Sequence, residues 1–158
     1  MHDFEQIRKN EWTALLEDAE RRLGFNNGFK LLYSPWNTLS TAEYLFLSLN
    51  PGNAPEGIEL RQISDERGIT YIVEADNTKS PLTAQFNLMI QGFNLNPERF
   101  LVGVVAPFRS NNWREMSKEQ KAGSLSLGSK FWAEILANST IRRIVTVSAV
   151  ARNLVLVF

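Results

Sequence analysis

The stretch YLFLSLNPGNAPEG, residues 44–57, decides the fold of this chain. Its first six residues are mostly aromatic or aliphatic, and the run is too short for a free-standing helix, so it predicts a buried strand. The strand stops at Asn50-Pro51-Gly52, a turn in which proline fixes φ and glycine permits close backbone approach. Open α/β sheets bind ligands at the carboxyl ends of their strands. We therefore expect the amide of Asn50 to point into such a crevice, with a plain turn as the alternative.

Strands and helices alternate along the rest of the sequence. Strands are predicted at 29–33, 44–49, 100–106 and 143–148, a short hairpin at 69–74, and helices at 3–23 and from Pro81, Ser117 and Ala149. At Ser80-Pro81 an N-cap is followed by proline at the first helical position, and Ser117 with Gln120 forms a potential capping box. This alternation predicts an α/β fold with a mostly parallel sheet and right-handed crossovers.

Composition excludes several classes of chemistry. Seventeen Lys and Arg residues balance seventeen Asp and Glu residues, so no net charge draws the whole chain to nucleic acid. There is no Cys, which excludes disulfides, thiol nucleophiles and cysteine-ligated metal sites. The one histidine, His2, lies near a terminus, which argues against a Ser/His/Asp triad. With no basic, apolar leader and no membrane-length run, we expect a cytoplasmic protein that contacts no membrane and uses no metal or other cofactor.

A second loop at a strand end mixes aromatic, cationic and amide side chains. It reads PFRSNNWR, residues 107–114, and follows the apolar strand 100–106. Arg109 and Arg114 flank Trp113, and cations around an aromatic ring suit phosphate contact together with base stacking. These three residues are therefore predicted to bind nucleic acid. A role in surface solubility is the alternative.

Two of these segments resemble the uracil-DNA glycosylase superfamily. Residues 47–52, Leu-Ser-Leu-Asn-Pro-Gly, resemble its first active-site motif, which reads Gly-Ile-Asn-Pro-Gly in the mismatch-specific uracil- and thymine-DNA glycosylase branch. Residues 107–110, Pro-Phe-Arg-Ser, are similar to the strand end of uncharacterised members. The similarity extends over about residues 30–155, although only these two segments are specific.

The resemblance implies both a fold and a reaction. The fold is a three-layer α/β/α sandwich around a short, mainly parallel sheet. The reaction is cleavage of the N-glycosidic bond of uracil or a deaminated base that has been flipped out of the DNA stack, since the bond is shielded inside it. On this analogy Asn50 is the catalytic residue and holds the attacking water. The residues expected to contact the base are Leu49, Pro51, Gly52, Tyr71 and Phe108.

The sequence also departs from the superfamily pattern. Ser48 stands where the motif usually has Gly, and Val104 stands at about the place of an Asn that binds the uracil edge in many relatives. The second motif, a His-Pro-Ser or Asn-Pro-Ser loop, is absent. A non-catalytic module that binds nucleic acid or a base, and an α/β domain for another small ligand, therefore stay open as alternatives to a DNA glycosylase.

The last five residues, 154–158, are all apolar, which is unusual at the end of a soluble chain. We therefore expect residues 1–158 to form one glycosylase-like domain that lacks its C-terminal portion, a further strand and helix. In the resembled superfamily that portion carries the second motif, whose loop enters the DNA minor groove and helps keep the base unstacked. Since single strands demand less unstacking, we expect the partner to be single-stranded DNA rather than duplex.

Overall fold

The computed structural model describes residues 2–77 and 79–157, with side chains from Arg8 onward. The strands are β1 (Phe29–Lys30), β2 (Tyr44–Ser48), β3 (Arg61–Gln62), β4 (Phe100–Val104) and β5 (Arg143–Thr146). The helices are α1 (His2–Leu23), α2 (Thr70–Val73), α3 (Pro81–Gly92), α4 (Lys118–Ala137) and α5 (Ala149–Val155). None of the described helices is both long enough and apolar enough to cross a membrane.

The central sheet has β2 in the middle, with β4 and β5 parallel on either side. Tyr44 lies opposite both Phe100 and Arg143, so the three strands start at the same level. A second, two-stranded parallel sheet pairs β1 with β3. The chain after β1 runs antiparallel to β4, where Tyr33 N donates to Val102 O at 2.7 Å. Residues 29–33 therefore cover the outer edge of β4.

Helices pack on both faces of the central sheet. Along β2, Leu45 and Leu47 belong to a core cluster that includes buried residues of α1, α4 and α5. Phe46, between them, points to the opposite face and packs with Tyr71 of α2 and Phe86 of α3. This alternation is the period-two pattern of a strand buried on both faces. The predicted α/β fold with a short, mainly parallel sheet is confirmed.

Local sequence signals place the helix starts where they were expected. Ser80 caps α3 by accepting a hydrogen bond from Thr83 N at 3.4 Å, and Pro81 is its first residue. Ser117 and Gln120 form a reciprocal capping box at the start of α4. Both caps satisfy backbone N–H groups that have no partner inside the helix.

The predicted hairpin at 69–74 is wrong, because this segment contains the short helix α2. Thr70 N donates to Tyr33 O at 2.8 Å, which anchors the start of the segment against the strand edge. A helical turn then buries Tyr71 and leaves Ile72 and Val73 more than a third exposed. The β-branched residues indicated strand, but packing of one aromatic side chain decided the local structure.

Helix α4 approaches the end of β4 with no room between the two backbones. Trp132 donates its indole N–H to Val104 O at 2.8 Å. One turn earlier, a Cβ added at Gly128 would lie only 1.7 Å from Val105 O. Position 128 therefore requires glycine because the close approach of the two backbones leaves no space for a side chain. Its backbone conformation does not itself require glycine.

We expect Gly128→Ala to lower the free energy of unfolding by about 3 kcal/mol or more, because the added methyl group meets backbone atoms of a buried strand end. Urea denaturation followed by tryptophan fluorescence measures this loss. Gly92→Ala is the matched control, since nothing lies within 4 Å of a Cβ added at the end of α3. It should be neutral or stabilise by up to about 1 kcal/mol. Equal losses in the two variants would contradict the packing described here.

Candidate active site

The loops that follow β2 and β4 meet at one edge of the sheet. Ala106 N donates to Leu49 O at 2.9 Å, and Ser110 N donates to Pro51 O at 3.0 Å. The two loops are thus hydrogen-bonded to each other beyond the ends of their strands. This meeting follows from parallel pairing, which brings the carboxyl ends of neighbouring strands to the same edge.

A cavity of about 280 Å³ lies beside these loops; we call it the strand-end cavity. Its charged and amide side chains are Lys30, Asn50, Asn53, Glu74 and Arg109, and its hydroxyl-bearing residues are Tyr33, Ser48, Thr70, Tyr71, Ser80 and Thr83. Its volume is slightly below the range of about 300 to 1,000 Å³ usual for small-molecule sites. It therefore suits a ligand of one or two rings.

A larger groove of about 670 Å³ lies on the other side of α2. Its apolar lining includes Ile69, Ile72, Val73 and Phe100. It contains no residue of the loops that follow β2 and β4. We place the candidate site in the smaller cavity, because convergent polar groups and not volume supply chemistry.

Asn50 is fixed by two hydrogen bonds from the same nitrogen. Its Nδ2 donates to Pro51 O and to Ser110 O, both at 3.0 Å. These bonds occupy both amide hydrogens and so set the orientation of the side chain. The carbonyl oxygen Oδ1 has no hydrogen-bond partner among the described residues and is not sealed from solvent. Asn50 therefore offers the cavity a fixed hydrogen-bond acceptor.

Lys30 brings a buried cation to the cavity and is only 3% exposed. Its Nζ lies 3.1 Å from Asp65 Oδ2 and donates to Thr70 Oγ1 at 2.9 Å. The same ammonium sits 4.5 Å from the centre of the Tyr33 ring, a cation–π distance. Burial lowers the pKa of Lys30, while the charge of Asp65 opposes that change. One of its three N–H donors has no partner among these groups.

Asp65 is the fully buried carboxylate that balances this cation. Burial alone would raise its pKa, but hydrogen bonds from Arg67 and Thr70 and the charge of Lys30 hold the pKa well below its usual value. Arg67 also donates to Glu74 Oε1 at 2.8 Å, which ties the cavity wall to the same network. Asp65, which does not itself line the cavity, thus holds the ammonium group of Lys30 in place.

Two tyrosines line the cavity next to each other, with ring centres 5.2 Å apart. Burial raises the pKa of Tyr71 to about 12, an effect that neighbouring Ser48 partly offsets. Burial also raises the pKa of Tyr33. Both hydroxyls are therefore protonated near neutral pH and can donate hydrogen bonds to a ligand.

Among the residues expected to contact a base, the structure brings Gly52 and Tyr71 to the cavity together with Asn50. Leu49 instead packs against the core, and Pro51 is buried at the junction of the two loops. Phe108 is fully buried, with its ring stacked 4.4 Å from that of Phe25. The expectation for Phe108 was wrong because its loop starts antiparallel to β1, which turns this side chain into the core.

The three residues predicted to bind nucleic acid lie in different environments. Arg109 is only 3% exposed and lines the strand-end cavity, so it is not the surface cation that the sequence indicated. Its Nε donates to Leu60 O at 2.9 Å and its Nη1 to Gly52 O at 3.2 Å. Trp113 is half-buried against the core, and Arg114 is exposed. Neither of these two lines the cavity.

The sequence did not single out Lys30, Tyr33 or Glu74 as site residues. Lys30 carried a usable signal, because a charged residue inside an otherwise apolar predicted strand must find a partner when it is buried. Val104, which stands at about the place of an Asn in many members of the resembled superfamily, is fully buried and does not line the cavity. The polar groups that line the cavity come from other residues.

The chain matches no protein-family model, no curated protein and no solved structure. Among the described side chains, those of residues 8–77 and 79–157, no group of three or more His, Asp or Glu is placed to hold a metal ion. The chemistry available at the site comes from its own groups. These are a fixed amide oxygen, two buried cations and two protonated tyrosines.

We expect Asp65→Asn to lower the free energy of unfolding by about 3 to 5 kcal/mol, because it leaves Lys30 as a buried charge without its counter-ion. Urea denaturation at neutral pH measures the loss. Asp18→Asn, which neutralises one partner of the exposed Asp18–Arg21 pair, should change stability by no more than about 0.5 kcal/mol. Similar losses in the two variants would show that Asp65 is not the buried counter-ion of Lys30.

The wild-type protein should also lose stability in acid through Asp65. Its folded-state pKa lies below that of an unfolded aspartate, about 3.9. Its contribution is therefore complete above that value and is lost as pH falls through the folded-state pKa. Between roughly pH 5 and pH 2, stability should fall more steeply for wild type than for Asp65→Asn. Parallel curves would contradict this assignment.

Proposed function

We propose that this chain hydrolyses the N-glycosidic bond of uracil or another deaminated base held in the strand-end cavity. One observation carries the proposal. Both amide hydrogens of Asn50 are bound by main-chain oxygens, so its Oδ1 is a preset acceptor for a water molecule at the cavity. The resemblance of residues 47–52 to a glycosylase motif supports the same role for Asn50.

An amide oxygen can orient water but cannot remove its proton as a strong base does. That is sufficient when the glycosidic bond is largely broken before water attacks, since the water then meets an electron-poor carbon. The C1′–N bond breaks with its electron pair going to the base, the water oxygen bonds to C1′, and the base takes up the proton that the water loses. Atoms and charges balance without any metal or cofactor.

The size of the cavity favours one base and not a stretch of stacked nucleotides. A base inside a duplex cannot reach a cavity, so it must be flipped out or come from a single strand. Tyr71 has a buried ring at the cavity, and Gly52 leaves backbone accessible for close contact. These features support a single extruded base as the ligand, and single-stranded DNA is the proposed substrate because it presents a base with less unstacking.

A second candidate is a module that binds a base without cleaving it. A hydrogen bond at Glu74, the carboxylate of the cavity, favours this candidate. Its Oε1 accepts from Arg67 at 2.8 Å. That bond occupies one carboxylate oxygen, so Glu74 has fewer free positions from which it could take a proton from water. The two candidates differ in one measurable respect, because only the first yields abasic sites.

To test the proposed hydrolysis, single-stranded oligonucleotides carrying uracil, hypoxanthine or xanthine are incubated with the protein, and abasic sites are revealed by alkaline cleavage. We expect excision from at least one of them, and a loss of about a hundredfold or more in Asn50→Ala, the scale for a group that acts on the transition state. A chelator should leave the rate unchanged.

The matched control is Asn138→Ala, which removes an exposed asparagine at the end of α4 and should keep wild-type activity. Excision that survives in Asn50→Ala would move the chemistry to another group. Base binding without excision by the wild-type protein would favour the second candidate.

A further inference from the structure

Arg109 is a buried cation that lacks a counter-ion. Four charged side chains are buried among the described residues: Glu20, Lys30, Asp65 and Arg109. Glu20 is paired with Arg61, and Lys30 with Asp65. No carboxylate of the described residues lies within ion-pair distance of Arg109. Buried charges in proteins are normally paired, so this exception indicates a counter-ion that comes from outside the chain.

The guanidinium is held in a fixed orientation. Its Nε and Nη1 donate to two main-chain oxygens, Leu60 O and Gly52 O. Its Nη2 has no partner among the described residues and is not sealed from solvent, and Arg109 lines the strand-end cavity. Of the five N–H donors of the guanidinium, three are left without a partner among the described residues, one on Nη1 and two on Nη2. The planar group holds these donors in fixed directions, which suits an oxyanion.

Lys30 adds a second cation to the same cavity, also with one donor unused. Around the cavity three cations, Lys30, Arg67 and Arg109, face two carboxylates, Asp65 and Glu74, which leaves one positive charge in excess. The two carboxylates are bound by Lys30 and Arg67. The unbalanced charge therefore belongs to Arg109.

We propose that the strand-end cavity is a receptor for a compact anion, bound by Nη2 of Arg109 and the free N–H of Lys30. The volume of about 280 Å³ limits the anion to one small ring system or a phosphate group. In the proposed hydrolysis the anion is the base itself, which carries the electron pair of the broken C1′–N bond until it gains a proton. Only this origin of the anion rests on the proposed function; the receptor itself does not.

The probe is barbiturate, a single-ring oxo-pyrimidine that is an anion at neutral pH, compared with uracil, which is neutral and nearly the same shape. Inorganic phosphate is the third ligand. Calorimetric titration should give wild-type affinity at least about tenfold higher for barbiturate than for uracil, because charge-assisted hydrogen bonds are the stronger ones. Arg109→Gln should reduce the affinity for barbiturate at least about tenfold and leave that for uracil nearly unchanged.

Arg152→Gln is the matched control, since Arg152 is exposed on α5, and it should bind as the wild type does. Arg109→Lys keeps the charge but loses the planar fork, so its affinity should lie between those of wild type and Arg109→Gln. If Arg109→Gln does not fold, the side-chain ¹⁵N resonances of wild type decide the question. One arginine guanidinium should shift when barbiturate is added, and Arg109→Lys should lack that resonance.

Each outcome bears on the receptor separately from the hydrolysis. Arg109-dependent binding of phosphate but not of barbiturate supports the receptor and assigns it to phosphate. Anion binding without base excision refutes the hydrolysis and supports the receptor. If phosphate binding does not depend on Arg109 either, equal affinities for barbiturate and uracil in wild type, or equal barbiturate affinities in wild type and Arg109→Gln, overturn the receptor even when excision is observed.

Discussion

The parallel pairing of β2 with β4 is the constraint on which the candidate site depends. Because the two strands run in the same direction and start at the same level, both end at one edge of the sheet. Their loops then bind each other, and the bond from Asn50 Nδ2 to Ser110 O is part of that junction. One side chain thus joins the loops and presents a free oxygen to the cavity. A sheet with β4 reversed would separate these groups by the length of the strand.

The second requirement is a buried network of charges behind the cavity. Residues 29–33 cover the edge of β4 and carry Lys30 inward, where Asp65 and Thr70 bind its ammonium group. Replacing a buried ion pair with apolar residues of similar volume often leaves stability unchanged or increases it. The presence of this pair is therefore weak evidence that it stabilises the fold. Its position at the cavity fits a role in ligand binding. There it holds a second cation at the cavity that Arg109 also lines.

Much of the fold could be predicted from local signals, and the polar site only in part. The apolar run 44–49, the caps at Ser80 and Ser117 and the alternation of elements each reflect the chemistry of neighbouring residues, so they needed no knowledge of the tertiary structure. Asn50 followed from the rule for strand ends. Lys30 was not singled out, and Arg109 was expected to bind nucleic acid from a loop, not to be buried. Their burial depends on antiparallel contacts between residues 28–33 and 102–109, which are distant in sequence. The wrong prediction of a hairpin at 69–74 has the same origin, since the ring of Tyr71 packs against Phe46 of β2 and Phe86 of α3.

The most direct test of this account is a crystal structure with a single-stranded oligonucleotide that carries a 2′-fluoro-arabino analogue of deoxyuridine, in which the glycosidic bond resists cleavage. We expect the base in the strand-end cavity, with one of its oxygens hydrogen-bonded to Arg109. We also expect a water molecule held by Asn50 Oδ1 on the face of C1′ opposite the base. A base bound in the apolar groove beyond α2, or one bound in the cavity with its sugar turned away from Asn50, would contradict the account.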